Sequence, residues 1–392
     1  MSRPGTLAIP GAAPLQHESG LPGEAADVAV FCVASPLHYL AACQVAQRFE
    51  QGARRVLVVY RPSVMRSVDA ARWEAVVEAP WPRMWPMAGP FGRHRRLLDN
   101  VRRVMAACGP AARGGRVHLH APVFDTEAVN YLLAALCRVA GAREVRARIL
   151  PDGVLNLASY PLSTAARIGQ HVRRLRSLVS PMLSYTTFGG DRTGSDAPFV
   201  DRIYVLEGFT SPYRRERVTV LSSLAFARQT PDGSRQSAED QPLRALVIGQ
   251  PLTGDRRMRA ADVEAVARSI EEWLAAQGIT DIRFKAHPRD PRHDLRRPSW
   301  QLLEIEVPLE QHLAESHYDV VVGVTSTTLF LARQICGPAL RVAAFGTDRF
   351  DWRAPGKREE VLALMRRLGI DRPDAADRGD RRDHDQGIAL QR

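Results

Sequence analysis

Residues 28–38, which read VAVFCVASPLH, decide how this chain folds. The uninterrupted apolar run Val28–Ala34 is typical of a strand that is buried on both faces of a parallel sheet. Ser35 and Pro36 follow at once, and a serine N-cap with proline in the first turn predicts a helix that extends to about Phe49. A buried strand that leads directly into a helix is half of a βαβ unit, so the sequence predicts an α/β fold.

The same alternation of strand and helix continues along the chain and restarts after a polar segment. In the first half, the further predicted strands are Val56–Tyr60, Val117–His120, Val145–Leu150 and Ile203–Leu206. A helix is predicted near Glu127–Val139. In the second half, the predicted strands are Ala245–Gly249, Ile282–Ala286, Asp319–Val324 and Leu340–Phe345, and the predicted helices are Ala261–Gln277, Thr327–Cys336 and about Lys357–Leu368. Two such blocks predict an α/β protein with two Rossmann-like domains facing a cleft.

Composition sets the predicted domain boundaries. Residues 1–26 are rich in Gly, Pro and Ala, and residues 371–392 are almost entirely polar, so both ends are predicted to be disordered. Residues 229–243 contain no apolar stretch and are predicted to be a linker. The N-terminal domain then covers residues 27–228 and the C-terminal domain residues 244–370.

The net charge and the cysteine content limit which partners and which kinds of site the chain is expected to have. A net charge of +11 suits an anionic partner, which is a nucleic acid, an acidic membrane surface or an acidic substrate. The chain has no nucleic-acid-binding motif and no basic–aromatic cluster. Its five cysteines form no CxxC pair, so neither a disulfide framework nor a zinc site is predicted. No apolar run approaches the ~20 residues that span a bilayer, and no secretory signal is evident, so we expect a cytoplasmic location.

Polar residues that follow predicted strands are the candidates for chemistry, because ligands of open α/β sheets bind beyond the carboxyl ends of the strands. In the first half these are Ser35-Pro36-Leu37-His38 and Leu150-Pro151-Asp152-Gly153, with Asn156 beyond. A carboxylate at this place has the chemistry of a general base for an incoming hydroxyl. Spacing alone, however, favours a helix start for the first segment and a turn for the second.

Two segments of the second half have the chemistry of a phosphate site. Lys285-Ala286-His287-Pro288-Arg289 places three groups that can carry positive charge after a strand. Thr325-Ser326-Thr327-Thr328 places four hydroxyls at a predicted helix N-terminus, which favours anions. A solvated basic loop and an ordinary N-cap are the simpler interpretations. No Walker A loop is present, and no GxGxxG follows the first strand.

Taken in order, these segments resemble the bacterial sialyltransferase and polysialyltransferase superfamily of GT-B-type enzymes that use CMP-linked sugars. That family carries an acidic-acidic-Gly motif, an HP motif and a paired-hydroxyl motif. The matching residues here are Pro151-Asp152-Gly153, His287-Pro288 and Ser326-Thr327. The opening Ser35–His38 segment and the turn Gly249-Gln250-Pro251-Leu252 are also similar to segments of that family.

The resemblance implies a role for each segment. Asp152 would be the general base on the acceptor, and His287 would bind the phosphate of CMP and stabilise it as it leaves. Ser35, Pro36, His38 and Asn156 would form the acceptor or donor loop. The residues that would bind the nucleotide and its phosphate are Lys285, His287, Pro288, Thr325, Ser326, Thr327, Gly249, Gln250 and Pro251.

The implied reaction is inverting transfer of sialic acid, or of a related nonulosonic or ulosonic acid, to a cell-surface glycan such as lipopolysaccharide or capsule. The donor is the CMP-sugar, and no cofactor or metal is expected, since the sole DxD match lies in the polar tail at Asp383-His384-Asp385. Pro151 stands where the family has an acidic residue. Two alternatives therefore stay open, an enzyme of this architecture that uses a UDP- or GDP-sugar and a catalytically inactive nucleotide-binding scaffold.

Two basic amphipathic segments raise the hypothesis of peripheral association with an anionic membrane. Arg93–Met105 and Ala165–Leu183 each place apolar residues on one helical face with arginines nearby. For each segment taken alone, an ordinary domain helix with its apolar face in the core is the favoured interpretation.

Overall fold

The computed structural model describes residues 25–81, 92–152, 161–209, 212–221, 224, 242–337, 339–353 and 356–375. Most of the predicted linker, and the predicted site residues Gly153 and Asn156, lie outside these ranges. No helix within them is long and apolar enough to cross a bilayer.

A seven-stranded parallel sheet forms the N-terminal domain, with strand order β3-β2-β1-β4-β5-β6-β7. Its strands are β1 Val28–Val33, β2 Arg54–Val59, β3 Ala75–Glu78, β4 Arg116–Ala121, β5 Glu144–Ile149, β6 Val200–Leu206 and β7 Val218–Leu221. The helices of this domain are α1 Pro36–Phe49, α2 Pro62–Met65, α3 Gly92–Cys108, α4 Glu127–Arg138 and α5 Thr164–Arg174. All six residues of β1 are buried, as a central parallel strand requires.

The C-terminal domain repeats this plan on a smaller scale, with a five-stranded parallel sheet of order β10-β9-β8-β11-β12. Its strands are β8 Arg244–Ile248, β9 Asp281–Lys285, β10 Gln301–Leu302, β11 Val320–Gly323 and β12 Arg341–Ala344. Its helices are α6 Ala260–Ala276, α7 Leu309–Glu315, α8 Thr327–Cys336 and α9 Lys357–Arg367. The predicted α/β class with two Rossmann-like domains is confirmed.

The sequence prediction differs from the structure in two respects, which are the short strands and the C-terminal boundary of the second domain. Strands β3, β7 and β10 have only four, four and two residues and were not predicted, because such short runs show little periodicity. The tail was predicted to be disordered from residue 371, but Asp371 pairs with Ala343, and the Asp374 carboxylate accepts a hydrogen bond from the Gly346 N–H at 2.6 Å. Because these acidic residues satisfy backbone groups of the domain, the folded C-terminal domain extends at least to residue 375.

The two domains pack directly against each other. One hydrophobic cluster includes Tyr204 and Leu206 of the N-terminal domain together with Phe330 and Leu368 of the C-terminal domain. The Gln334 side-chain amide, on α8, donates to the Glu207 carbonyl oxygen at 2.7 Å across the same boundary. A shared apolar cluster with hydrogen bonds at its edge fixes how the two sheets face each other.

A buried charged network lies beneath the N-terminal sheet. Glu50, at the end of α1, accepts hydrogen bonds at one carboxylate oxygen from His118 (2.8 Å), His120 (3.1 Å) and Arg148 (2.7 Å). Burial raises the pKa of the Glu50 carboxyl, but hydrogen bonds from the two imidazoles outweigh it and hold the pKa well below its usual range. Burial lowers the pKa of His120 to about 4, so this ring is neutral near pH 7. The network therefore joins α1, β4 and β5 through one buried carboxylate and one guanidinium.

Replacing Glu50 with glutamine should destabilise the protein strongly, because the buried Arg148 loses a charged partner. The free energy of unfolding should fall by about 3–5 kcal/mol, measured by urea unfolding followed by circular dichroism. The matched control is Glu74→Gln, which removes the carboxylate of a half-exposed pair with Arg55 and should cost about 0–1 kcal/mol. Equal losses in the two variants would contradict a structural role for the buried network.

Candidate active site

Three of the predicted site segments follow strands at which the order of each sheet reverses. In the N-terminal sheet the reversal lies between β1 and β4, and in the C-terminal sheet it lies between β8 and β11. Helices that leave two such neighbouring strands go to opposite faces of the sheet, which leaves a crevice at the carboxyl ends. Ser35 follows β1, Gly249 follows β8 and Thr325 follows β11, so each lies beside such a crevice.

His38 and Asp152 form a direct pair in the N-terminal crevice. The Nε2 atom of His38 lies 2.7 Å from Oδ1 of Asp152, and the side chains are 6% and 25% exposed. The Ala34 N–H donates to Nδ1 of the same ring at 3.2 Å, so the ring proton is on Nε2 and is donated to the carboxylate. Ser35 caps α1 by accepting from the His38 N–H at 3.2 Å, which fixes the turn that carries the ring.

This pairing assigns different tasks to the two side chains. Both ring nitrogens of His38 are engaged, one by the backbone and one by Asp152, so the imidazole holds the carboxylate in place. Asp152 keeps its second oxygen for another partner. The sequence singled out both residues but gave no sign of the pair, because they are 114 positions apart in the chain.

A cavity of about 220 Å³ lies beside the pair. Tyr60 and Trp81, which line it, stack with ring centroids 5.5 Å apart, and the Arg61 guanidinium lies 5.7 Å from the Trp81 ring. An indole face next to hydroxyl, imidazole and carboxylate groups suits a sugar ring, which has both apolar and polar faces. Sequence reasoning missed these three residues, because they follow β2 and β3 and no motif marks them.

The cysteine that lines the same cavity is not a nucleophile. Burial raises the pKa of the Cys32 thiol to about 12. A thiol must ionise to attack, so Cys32 acts there as a small apolar side chain.

In the C-terminal crevice, Gly249 lets two strand ends approach closely. Its N–H donates to the Lys285 carbonyl oxygen at 2.9 Å. A Cβ at this position would lie 3.0 Å from that oxygen and 3.3 Å from the backbone nitrogen of His287. Both are tighter than ordinary contacts to backbone atoms, so glycine is needed for the β9 loop to lie against β8.

Gln250 joins the strand ends on the other side. Its side-chain oxygen accepts from the Thr325 N–H at 2.8 Å, and its side-chain nitrogen donates to the Thr325 hydroxyl at 3.3 Å. Thr325 was predicted to bind a phosphate, but these two bonds already engage its N–H and a lone pair of its hydroxyl. The two bonds position the loop that leads into α8 and leave the hydroxyl proton of Thr325 able to donate to an anion. Pro251 is buried.

The hydroxyls that follow Thr325 lie at the start of α8. Ser326 is the N-cap, and its hydroxyl oxygen accepts from the Thr328 N–H at 3.3 Å. Thr327 is the first helical residue and is exposed. The dipole and the free N–H groups at this end of the helix favour an anion.

His287 presents a hydrogen-bond donor from the neighbouring loop. Its Nδ1 accepts from the Arg289 N–H at 3.1 Å, which leaves the proton on Nε2. Partial burial, and then the nearby Arg289 charge, lower the pKa of His287, so the free protein holds it neutral. Lys285 is half-buried at the end of β9. Pro288 is exposed and has no donor for a phosphate, so it fixes the backbone of the loop.

Within the described ranges, no hydrogen bond joins the His38–Asp152 pair to His287 or to the start of α8. Among the described residues, each set lies on one domain. The arrangement therefore offers a carboxylate and a sugar-sized cavity on one side, and a group of anion-binding donors on the other.

Among the described residues, one group has side chains of the type and spacing that could bind a metal ion. It consists of Glu50, His118 and His120 of the buried network. The Arg148 guanidinium lies 2.7 Å from the Glu50 oxygen that the two imidazoles share. A positively charged side chain thus already holds the place that a cation would take.

Comparison with known proteins concerns the C-terminal half most directly. Residues 213–338 match the family model described as alpha-2,8-polysialyltransferase (POLYST). The match covers about a third of the chain. It includes Gly249, His287 and Ser326, whereas Asp152 lies outside it. No curated protein matches the chain.

Several solved glycosyltransferases are similar in overall structure. The calicheamicin glycosyltransferase CalG4 has a TM-score of 0.41 and 14% identity, with 90% of this chain and 86% of that chain covered. SnogD from Streptomyces nogalater has a TM-score of 0.39 and 14% identity, with 89% and 97% covered. UGT89C1 from Arabidopsis thaliana has a TM-score of 0.41 and 10% identity, with 89% and 85% covered. These scores are low and carry no argument about the reaction. The family match supports an assignment of residues 213–338 to the polysialyltransferase/sialyltransferase type of glycosyltransferase.

Proposed function

We propose that this protein transfers sialic acid, or a related nonulosonic or ulosonic acid, with inversion from a CMP-linked donor to a cell-surface glycan of the lipopolysaccharide or capsule kind. The observation that carries the proposal is the group of donors at three adjacent strand ends, with Gly249 between the His287 loop and the start of α8. This group falls within the residues that match the polysialyltransferase family.

In the proposed reaction, the free carboxylate oxygen of Asp152 takes the proton from the acceptor hydroxyl as that oxygen attacks the anomeric carbon. The bond between the sugar and the CMP phosphate breaks at the same time, through a transition state with oxocarbenium character. His287 donates through Nε2 to the departing phosphate, and the N-terminus of α8 stabilises its charge. His38 holds the Asp152 carboxylate in place through the hydrogen bond from Nε2.

The cavity beside Asp152 would receive the acceptor sugar, with Trp81 as the stacking surface. We place the enzyme in the cytoplasm, in peripheral contact with the inner face of the cytoplasmic membrane, where glycans of this kind are extended on lipids. The donor sugar is the substrate, and the proposal requires no further cofactor.

The nucleotide class can be tested by thermal unfolding of the purified protein with CMP, UMP, GDP or UDP. CMP alone should raise the Tm, because a ligand at a hundredfold excess over its Kd stabilises the folded state by about 2.7 kcal/mol. His287→Ala should abolish the shift. The control His317→Ala removes an exposed histidine next to β11 at its other end, where it pairs with Asp319, and should keep the shift.

A shift with UDP or GDP instead of CMP would assign the protein to an enzyme that uses those sugars, and no shift with any nucleotide would refute nucleotide binding. A CMP shift without turnover of any CMP-sugar would identify an inactive scaffold, for which Pro151 is the reason.

The affinity for CMP should increase as the pH falls from about 8 to about 6. The pKa of His287 is lowered in the free protein, and a bound phosphate raises it by favouring the imidazolium. The second proton goes to Nδ1, which then gives up the hydrogen bond from the Arg289 N–H. Binding therefore takes up a proton, and proton uptake makes binding tighter at lower pH. Calorimetric titration across this range should give a steeper slope for the wild type than for His287→Gln. Because CMP itself titrates equally in both experiments, identical slopes would contradict this role of His287.

The pairing of His38 with Asp152 predicts a graded series in kcat. Asp152→Asn should lower kcat by about 10²–10⁴ through loss of the base. His38→Ala should lower it by a smaller factor, because the carboxylate is then no longer held in place. His38→Gln, whose amide can donate from nearly the same place as Nε2, should restore much of the rate. A rate for His38→Gln as low as that for His38→Ala, with CMP binding intact in both, would contradict the positioning role.

A further inference from the structure

The segment that follows the candidate base carries an unusual apolar surface. We define the α5 surface as the outward side of residues 164–180, which comprise α5 and the short turns after it. It displays Ile168, Val172, Leu175, Leu178 and Val179, which are 60%, 57%, 62%, 86% and 81% exposed. In the described part of the chain only three other large apolar side chains are exposed, namely Trp81, Val139 and Leu243. The exposed apolar residues are therefore concentrated on this one segment.

The inward side of α5 is polar, which is the reverse of an ordinary surface helix. Gln170 is buried and donates to the Asp125 carboxylate at 3.2 Å. Arg173 and Arg176 pair with the Glu127 carboxylate at 3.2 and 2.9 Å. Hydrogen bonds and ion pairs thus fix the helix to the domain, and its apolar side is left facing solvent.

The comparison with α3 shows that a basic amphipathic pattern does not by itself produce an outward apolar face. Both segments have the same basic amphipathic pattern in sequence. In α3, however, Leu97, Val101 and Val104 are buried against the domain core, as in an ordinary helix. The structure therefore separates two segments that sequence reasoning treated alike.

The charge around the α5 surface is positive. Residues 161–190 contain no Asp or Glu. Arg167, His171 and Arg174 are exposed beside the apolar stripe, and none of the three forms an ion pair within the described residues. An apolar stripe with a basic border is complementary to a bilayer that contains anionic lipids.

The same charges disfavour a second copy of the chain as the occupant. A symmetric dimer would place the α5 surface against itself, and its basic border would then face an identical basic border. No acidic side chain of residues 161–190 is available to compensate.

The position of the α5 surface relates it to the candidate site. Glu127, which anchors Arg173 and Arg176, is the first residue of α4, and Thr126 before it lines the cavity beside Asp152. The α5 surface therefore lies on the same edge of the N-terminal domain as the cavity for the acceptor.

We propose that the α5 surface docks this protein on an anionic lipid bilayer. Leu175, Leu178 and Val179 enter the boundary between headgroups and acyl chains, and Arg167 and Arg174 contact the anionic headgroups. This inference rests on the proposed function only in that docking would bring the acceptor cavity to a lipid-linked glycan.

The test is sedimentation of the full chain with vesicles of phosphatidylcholine and phosphatidylglycerol, compared with vesicles of phosphatidylcholine alone. The wild type should bind the anionic vesicles, and added salt should weaken binding. Leu178→Ser/Val179→Ser should lower the partition coefficient by about tenfold or more, since two exposed apolar side chains are lost. Arg167→Gln/Arg174→Gln should lower it several-fold on anionic vesicles only. The matched control Val139→Ser/Leu243→Ser removes two exposed apolar side chains elsewhere and should bind like the wild type.

Several results would overturn the proposal. The first is that the wild type binds neither kind of vesicle. The second is that Leu178→Ser/Val179→Ser binds anionic vesicles as well as the wild type does. The third is that the Val139→Ser/Leu243→Ser control loses as much binding as Leu178→Ser/Val179→Ser. If the protein does not bind vesicles but forms a concentration-dependent dimer, and Leu178→Ser/Val179→Ser abolishes that dimer, the occupant of the α5 surface is a second copy of the chain. Because sedimentation needs no turnover, these results are independent of the CMP experiment. Transfer to a soluble acceptor should be unchanged in the docking variants.

Discussion

The parallel strand order, which reverses once in each sheet, is the constraint on which the rest of this structure depends. Both domains contain the same core order, with the first strand of the domain placed next to the fourth. A parallel sheet needs helices on both faces, and the change of face at the reversal leaves one open crevice per domain. His38 enters the N-terminal crevice, and Gly249, Gln250 and Thr325 line the C-terminal one. The shared apolar cluster between the domains then fixes how the two sheets face each other.

Both candidate histidines are oriented by the same device. In His38 and in His287, a backbone N–H donates to Nδ1, so the ring proton is held on Nε2 and directed outward. The two rings differ in their outer partner. His38 already donates to the Asp152 carboxylate, whereas His287 follows β9, which β8 separates from the strand that leads into α8. The backbone thus decides the tautomer in each case, and the surrounding elements decide which outer partner the ring proton can reach.

The α5 surface shows how polar contacts can override hydrophobic patterning. A helix normally turns its apolar side to the core, because burial of apolar area is the largest favourable term. Here the acidic residues at the start of α4 and before it bind Gln170, Arg173 and Arg176, and the apolar side is left outward. An outward apolar side lowers the stability of the protein in water, and it becomes favourable when the side chains are buried in an apolar environment such as a bilayer. This is the physical reason for proposing a membrane role for this surface.

The sequence alone determined the α/β class, the two domains, most long strands and helices, and the residues that follow them, because continuous apolar runs and 3.6-residue periodicity are local properties. It also indicated His287 and Ser326, since capping and strand-end positions can be read locally. Only the tertiary structure decided that His38 pairs with Asp152, that Gln250 holds Thr325, and that Trp81 lines the cavity beside Asp152. These contacts join residues far apart in the chain, and their geometry follows from strand order and domain packing. Likewise, α3 and α5 have the same local pattern, and only the positions of their acidic partners decided which apolar face was buried.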